Sequence, residues 1–287
     1  MRRIALLALA ALLAPATALA TWSVIAVDRN SGQVIVASAT CVRQSRFPPR
    51  PARDLMDIQA VIVPGVGVAA CQAGVDNTRA NQMLVYEEIR KGTNPERIIE
   101  LLREQENLKD EPQMERRQFG ILDLQGRSAG FNGSRNSAAS LYVAGQVGDD
   151  IFVQVQGNIL FDDDVAEDAV LAFMRAKGTL ADRVMAAMEG ADRAGGDKRC
   201  TCEEEPKPAA PCDGKTSHVA YIAIANRDDA LGQSHNDGDY YAYLAVSDED
   251  IQPHENANPV ITLRLRYDAW KDAGSKRTGM PPSLIPE

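Results

Sequence analysis

The chain has 287 residues, of which 45% are hydrophobic and 25% charged, the composition of an ordinary globular protein. Its formal net charge is -9, and no block rich in lysine or arginine stands out. Because phosphate binding needs a basic patch, we expect no nucleic-acid partner, and the acidity is expected to serve solubility.

The first twenty residues have the three parts of a secretory signal peptide. Residues 1–3 carry two arginines, residues 4–13 are apolar, and residues 18–20 form an Ala-Leu-Ala cleavage site. The apolar run is shorter than the roughly 20 residues of a membrane span, although an uncleaved anchor or a cut after Ala18 stays open. Cleavage after Ala20 predicts a periplasmic or extracellular protein that begins at Thr21 and has no membrane association.

Alternating apolar and turn-forming residues then predict a mixed α/β (α+β) chain. Strands come first, and no helix is expected before four of them. Antiparallel strands alternating with helix pairs predict two sheets with helices outside them. The predicted strands cover residues 22–28, 33–38, 58–63, 66–71, 117–123, 128–131, 141–147, 151–155, 218–225 and 240–246. The predicted helices cover residues 77–91, 95–102, 164–177, 180–191 and 259–271.

One domain is expected for the mature chain, over residues 21–273. A polar segment at 200–216, which contains Glu, Pro and Cys, interrupts it as an insertion. Residues 274–287 contain three prolines and are predicted to form a flexible tail. No internal repeat at a solenoid period is present.

Five cysteines follow the predicted signal peptide, and export predicts that disulfides form. We expect one bridge between Cys41 and Cys71 and one within the later group, with one thiol left over. The alternative is a metal site made by Cys200, Cys202 and Cys212. The Cys-x-Cys spacing and the lack of a histidine in that loop do not match a zinc knuckle, so no metal is expected.

Thr21 is the residue with the clearest chemical potential. At a mature N-terminus it carries a hydroxyl and a free α-amine, whose unperturbed pKa is near 7.7. The neutral amine can act as the base that activates the hydroxyl, which is the N-terminal threonine form of nucleophilic catalysis. The alternative is that Thr21 is merely the residue at which cleavage occurs.

Several stretches of the chain are similar to those of one bacterial family. The opening Thr-Trp-Ser-Val-Ile-Ala-Val-Asp at 21–28 is similar to that family's first strand, and residues 34–38 to its second. Residues 65–73 and 117–126 are similar to its Gly-Val-Gly and Arg-Gln-x-Gly runs. Further matches lie at 156–160, Gln-Gly-Asn-Ile-Leu, and at 194–199, Ala-Gly-Gly-Asp-Lys-Arg. On these stretches the chain resembles the family called domain of unknown function 1028.

The resemblance implies an N-terminal nucleophile (Ntn) hydrolase fold, a four-layer αββα sandwich, with Thr21 as the nucleophile. The candidate catalytic residues are then Thr21, Asp28 and Asn158, and the candidate substrate-binding residues are Ser23, Ser38, Gln156 and Gly157. Asp28 would hold the terminal ammonium, or else cap the turn that follows it. The amides at 156–158 would form an oxyanion hole or bind substrate, or else satisfy turn backbone.

Other polar residues are expected to be structural. Asp197 and Arg199 are predicted to form an ion pair, and His235 and His254 lie in polar loops, where they are expected to be solvated. No dinucleotide fingerprint, Walker loop or His-Glu-x-x-His motif occurs, so no cofactor is expected.

Two functions stay open at this point. The first is an amide-cleaving hydrolase that acts on a small-molecule or peptide substrate, with a homo-oligomer possible. The second is a non-catalytic binding protein on the same sandwich. The second is favoured where Ser38 is followed by Ala39, because the family often has a lysine there that would tune the amine.

Overall fold

The structure, a computed structural model, describes residues 21–47, 55–74 and 76–279. The predicted signal peptide at 1–20 and the last part of the predicted tail, 280–287, lie outside these residues. The strands are β1 (Thr21–Asp28), β2 (Gln33–Thr40), β3 (Ala60–Val63), β4 (Gly67–Ala73), β5 (Arg117–Asp123), β6 (Ser128–Asn132), β7 (Leu141–Val147), β8 (Ile151–Asn158), β9 (Val219–Ala225) and β10 (Ala242–Ser247). The helices are α1 (Leu55–Gln59), α2 (Ala80–Arg90), α3 (Pro95–Asn107), α4 (Asp164–Arg175), α5 (Leu180–Arg193) and α6 (Pro259–Asp272).

A six-stranded antiparallel sheet contains both strands of the predicted N-terminal hairpin. Its strand order is β10-β9-β2-β1-β8-β7, so β1 lies between β2 and β8. The β1–β2 register runs from Thr21 opposite Thr40 to Asp28 opposite Gln33. The turn between them closes at Gly32, whose φ of 73° suits glycine because it has no Cβ.

A second antiparallel sheet has the order β3-β4-β5-β6 and faces the first. Its strands bury apolar residues on both faces, since one face contacts the first sheet and the other contacts helices. The Pro64-Gly65 turn joins β3 to β4, as predicted, with Gly65 at a φ of 69°.

Three apolar clusters show that the molecule has four layers. The first cluster joins the six-stranded sheet to α4, α5 and α6. The second lies between the sheets, and the third joins the four-stranded sheet to α2 and α3. The predicted sandwich of two antiparallel sheets with helices outside them is therefore confirmed.

The helix borders follow local signals in the sequence. Asn94 caps α3 by accepting a hydrogen bond from the Glu96 backbone N–H, with Pro95 at the first helical position. Thr179 and Asp182 form a reciprocal capping box at the start of α5. These are the signals from which helices at these places can be predicted.

The expectation of four strands before any helix is wrong, because α1 precedes β3. The predicted strand from Ile58 begins at Ala60 instead, and Ile58 and Gln59 end the helix. Leu55, Met56 and Ile58 pack into the cluster between the sheets. Five residues are too short a segment for helical periodicity to separate from a buried strand.

The predicted Cys41–Cys71 bridge is also wrong. Cys41 is bonded to Cys200, and Cys202 is bonded to Cys212, as was expected for a pair within the later group. Cys71 is a buried free thiol that packs in the cluster under α2 and α3. The Cys71 side chain faces α2 and α3, away from the six-stranded sheet, in which β2 ends just before Cys41. The two sulfurs therefore cannot meet.

Of the helices in residues 21–47, 55–74 and 76–279, none is both long and apolar enough to cross a bilayer. The polar segment at 200–216 is tied to the sandwich by the Cys41–Cys200 bond.

Candidate functional site

Thr21 begins the central strand of the six-stranded sheet and faces the layer between the two sheets. Its register partners are Thr40 on β2 and Asn158 on β8. The Thr21 hydroxyl donates a hydrogen bond to the Thr40 hydroxyl at 3.1 Å, and the Thr21 side chain is buried. The Thr21 carbonyl oxygen accepts a hydrogen bond from Gln72 Nε2 at 2.9 Å. Both sheets therefore fix the position of this residue.

Neutral polar side chains fill one end of the layer between the sheets, which we call the polar end. Every second residue of a strand faces the same side of the sheet. On β1, β2 and β8 the residues that face the second sheet are polar near Thr21 and apolar at the opposite end. All side chains of the polar end are buried. The members are Thr21, Ser23, Ser38, Thr40, Gln59, Gln72, Gln118, Gln154, Gln156 and Asn158.

Gln72 is the hub of the polar end. Its amide nitrogen donates to Thr21 and to Gln118 Oε1, at 2.8 Å from the latter. Its amide oxygen accepts from the Ser23 hydroxyl. Gln118 in turn donates to the Gly157 carbonyl oxygen at 2.7 Å, so one chain of amides links β1, β4, β5 and β8.

The predicted substrate-binding serines lie beside Thr21. Ser38 donates to the Trp22 carbonyl oxygen at 2.6 Å, and the Ser23 and Ser38 hydroxyls are 3.1 Å apart. Gln59 reaches the same place and donates to Tyr221 Oη at 3.0 Å. These contacts make Ser23 and Ser38 part of the interior next to the candidate nucleophile.

Asn158, Gln156 and Gly157 end β8 directly opposite the start of β1. Asn158 Oδ1 lies 3.5 Å from Gln72 Nε2, and Gln156 Nε2 donates to the Ala70 carbonyl oxygen at 2.8 Å. Asn158 and Gln156 therefore share the polar end with Thr21, whereas Gly157 contributes its backbone. The structure thus brings this run and Thr21 together, and their joint role as a site stays a prediction.

Gly120 explains how two glutamines fit between the sheets. A Cβ at Gly120 would lie 2.6 Å from Gln156 Oε1 and 3.0 Å from Gln154 Nε2. The glycine thus allows the amides of β8 to approach the backbone of β5. Three of the buried amide oxygens, those of Gln59, Gln154 and Gln156, accept no hydrogen bond from the described part of the chain.

The structure does not bring Asp28 to Thr21. The two residues lie at opposite ends of β1, about 23 Å apart at the usual rise of a strand. Asp28 instead accepts hydrogen bonds from the Asn30 backbone at 3.0 Å and the Ser31 hydroxyl at 2.7 Å. These contacts correspond to the turn-capping alternative and not to a hold on the terminal ammonium.

The predicted Asp197–Arg199 ion pair is confirmed, with the closest N–O distance at 2.8 Å. Asp197 is buried and also accepts a hydrogen bond from the Cys41 backbone N–H at 3.0 Å. Because Cys41 follows Thr40, the pair fixes the end of β2 next to Thr21. The Thr21 hydroxyl, by contrast, is hydrogen bonded to a neutral group, the Thr40 hydroxyl.

The expectation that His235 is solvated is wrong. His235 is buried, its Nδ1 lies 2.9 Å from the Ala60 carbonyl oxygen, and its own carbonyl oxygen accepts from the Ile62 N–H. Burial lowers the pKa of its imidazole to about 4. The loop that carries it thus covers the outer edge of β3. His254 is exposed, as expected.

Sequence reasoning assigned no role to Gln72, Gln118, Thr40 and Gln59. Gln72 and Gln118 each lie within an apolar strand, and a lone amide there is the available signal of a polar interior. Thr40 lies two residues beyond the predicted end of β2. Gln59 could not be placed, because its segment was predicted to be a strand.

Comparison with known proteins gives one family and a similar structure. The model of a family described as "Family of unknown function (DUF1028)" matches residues 21–205. A crystal structure of a DUF1028 protein from Silicibacter pomeroyi is 21% identical, with a TM-score of 0.59 over 88% of this chain and 86% of that chain. This likeness supports the fold alone. No curated protein matches.

Proposed function

The chain belongs to the DUF1028 family, whose description names no activity, and from the surroundings of Thr21 we propose that it is an exported N-terminal threonine hydrolase of amide bonds. The proposal requires removal of residues 1–20. It places the mature protein in the periplasm or outside the cell, where the two disulfides persist.

One observation carries the proposal: Thr21 is the first residue of the central strand and its hydroxyl faces the polar end. The hydrogen-bond partner of this hydroxyl is the neutral Thr40 hydroxyl, which cannot serve as a strong base. The α-amine of Thr21 is a base on the same residue, with an ordinary pKa near 7.7. A chain that begins at Thr21 would therefore have base and nucleophile together.

The reaction follows from these groups. The amine takes the hydroxyl proton as Thr21 Oγ1 attacks the substrate carbonyl carbon, and the carbonyl oxygen becomes an oxyanion. In this proposal the Asn158 side chain, whose residue pairs with Thr21 across the strands, donates to that oxyanion. The C–N bond then breaks, the leaving amine takes the proton, and a threonine ester remains. Water attacks this ester and releases the acid.

The expected substrate is a peptide, a cell-wall fragment or a small acylated amide. A neutral, amide-rich lining offers hydrogen bonds to peptide groups and offers no partner for a strongly charged group. The proposal assigns substrate binding to Ser23, Ser38, Gln156 and the Gly157 backbone, which lie on β1 and on the two strands that pair with it.

The first measurement is the mass of the mature N-terminus of the exported protein. A start at any residue other than Thr21 would remove the base from the nucleophile and contradict the proposal. Two matched recombinant chains then test the chemistry. In one chain an initiator Met directly precedes Thr21 and is removed, so the chain begins at Thr21. In the other an alanine stands between the removed Met and Thr21, so the chain begins with that alanine.

A β-lactone probe, which acylates activated hydroxyls, is applied to both chains. We expect a single adduct at Thr21 when its amine is free. We expect none in the alanine-extended chain, which keeps the hydroxyl but removes the adjacent base. Thr21→Ala with a free N-terminus is the second control. Equal labelling of all three chains would favour the second function.

That second function is a non-catalytic binding protein, and two observations favour it. Ala39 stands where a lysine would tune the amine, and the buried oxygens of Gln59, Gln154 and Gln156 lack donors among the described residues. Buried acceptors of this kind are satisfied by water or by a ligand rich in N–H groups. Calorimetry with a di- or tripeptide on the chain that begins at Thr21 and on Thr21→Ala separates the functions. Binding without turnover in both chains would support only the binding protein.

A further inference from the structure

A second polar cluster lies under the insertion, apart from Thr21. The Cys200 Sγ, a Glu204 carboxylate oxygen and a His218 ring nitrogen all lie within 4.8 Å of one another. Cys200 is bonded to Cys41, so a second sulfur is 2.05 Å from the first. Cys200 and Glu204 lie four residues apart in the insertion, whereas His218 directly precedes β9, and the fold brings them together.

His218 has the environment of a metal-binding imidazole. Its side chain is fully buried, and its Nδ1 lies 2.8 Å from Asp248 Oδ2, which is buried as well, although the pair is not aligned for a hydrogen bond. Its Nε2 has no hydrogen-bond partner among the described residues and lies 3.7 Å from Glu204 Oε2. A carboxylate at one ring nitrogen is the usual support for a histidine whose other nitrogen binds a metal.

The ligand chemistry depends on the state of the sulfurs. In a disulfide they are poor ligands, whereas two thiolates with an imidazole and a carboxylate are a four-ligand set of the kind that Zn²⁺ binds tetrahedrally. With bond lengths of about 2.0–2.3 Å, such ligands lie roughly 3.5 Å apart. The atoms of Cys200, Glu204 and His218 already lie within 4.8 Å of one another, and Cys41 Sγ would move toward Glu204 and His218 once the S–S bond opens.

The charges around the cluster are mixed. Arg43 Nη2 lies 3.3 Å from Glu204 Oε1, and Lys215 interacts electrostatically with both Asp248 and Glu204. Two thiolates and two carboxylates would offset these two cations and the divalent ion. The net charge of such a site is thus close to zero.

We propose that reduction of the Cys41–Cys200 disulfide turns this cluster into a zinc site formed by Cys41, Cys200, Glu204 and His218. The reductant is a tertiary phosphine, which loses two electrons and takes the oxygen of a water molecule. The S–S bond breaks and the two protons of that water go to the sulfurs. Both protons leave when Zn²⁺ binds. The disulfide and the metal are then alternative links between the end of β2 and the insertion.

The test uses the mature chain with Cys202→Ser and Cys212→Ser, so that the other bridge supplies no thiol. Zinc binding is titrated with and without the phosphine by competition with a chromogenic chelator. We expect one Zn²⁺ per reduced chain and none in the oxidised chain. With Co²⁺ as the probe, we expect the intense d–d absorption of a tetrahedral site and a thiolate charge-transfer band.

Two variants make the result specific to this cluster. Glu204→Gln, at a half-exposed side chain, should weaken zinc affinity about tenfold or more, whereas Glu203→Gln at an exposed neighbour should leave it unchanged. Adding Cys41→Ser and Cys200→Ser should abolish uptake. Circular dichroism follows the fold throughout. No uptake by the reduced chain, or uptake that Glu204→Gln leaves unchanged, would overturn the proposal.

Discussion

The two ends of the layer between the sheets are built from the same strands but have opposite chemistry. At the Asp28 end, called the apolar end, Ile25, Val27 and Val36 pack against the second sheet. At the Thr21 end the equivalent positions are hydroxyls and amides. Packing alone favours the apolar solution, because each buried polar group must find a partner. The polar end is therefore where function is expected, and the apolar end provides stability.

The largest effect is expected from a substitution at the apolar end. Ile25→Ala removes a buried side chain on β1 and leaves a cavity, so unfolding free energy should fall by about 3 kcal/mol. Urea unfolding measures this loss. Labelling of Thr21 per folded chain should not change, although Ile25 is only four residues away. A large loss of labelling in the folded variant would mean that the two ends are not separable.

The next prediction concerns pH at the covered edge of β3. The folded pKa of His235 is about 4 and its unfolded value about 6.5, so the unfolded chain binds the proton first as pH falls. Above pH 6.5 the titration of His235 does not change the free energy of unfolding. It should then decrease by up to about 3 kcal/mol between pH 6.5 and pH 4 from this residue alone.

Replacing His235 with Gln should flatten that part of the pH dependence, measured as urea midpoints from pH 7 to pH 4. His254→Gln is the matched control, because His254 is exposed. If both variants show the slope of the parent chain, burial of His235 does not govern acid stability.

At the polar end, Gln72→Met should cost about 2 kcal/mol of unfolding free energy. The substitution keeps the volume and removes the hydrogen bonds of Gln72 to the Thr21 carbonyl oxygen, Gln118 Oε1 and the Ser23 hydroxyl. Gln82→Met, a buried glutamine on α2 that donates to Ile58, should cost a similar amount. Only Gln72→Met should also slow labelling of Thr21. Equal labelling rates in both variants would remove Gln72 from the site.

The smallest effect is expected at the far end of β1. Asp28→Ala removes two hydrogen bonds at an exposed turn and should cost about 1 kcal/mol or less. Ser31→Ala, which removes one of them, is the control. Neither should alter Thr21 labelling. A strong effect of Asp28→Ala on labelling at full folding would restore Asp28 to the site.

Much of the sandwich could be predicted because its strands and helices carry clear periodicity and caps. All ten strands begin within two residues of the predicted position, and α1 accounts for the later start of β3. Thr21, Ser23, Ser38, Gln156 and Asn158 could be grouped because the resemblance pointed to their strands.

Other features depend on contacts between distant segments. A cysteine's partner depends on which face of its strand it occupies in the folded chain, so the spacing of Cys41 and Cys71 was a poor guide. His235 lies among polar residues, yet the loop folds over β3 and buries it. The role of Gln72 depends on two sheets meeting, and local sequence does not show which strands face each other.

The position of Thr21 has a consequence for the order of events in biosynthesis. Thr21 is buried and hydrogen bonded within a strand that is paired on both sides from its first residue. A peptidase needs an extended, accessible segment around the bond it cuts, and central strands open only with much of the molecule. If residues 1–20 are removed as we propose, that cut would have to precede closure of the sheet, so the proposed maturation depends on the timing of processing relative to folding.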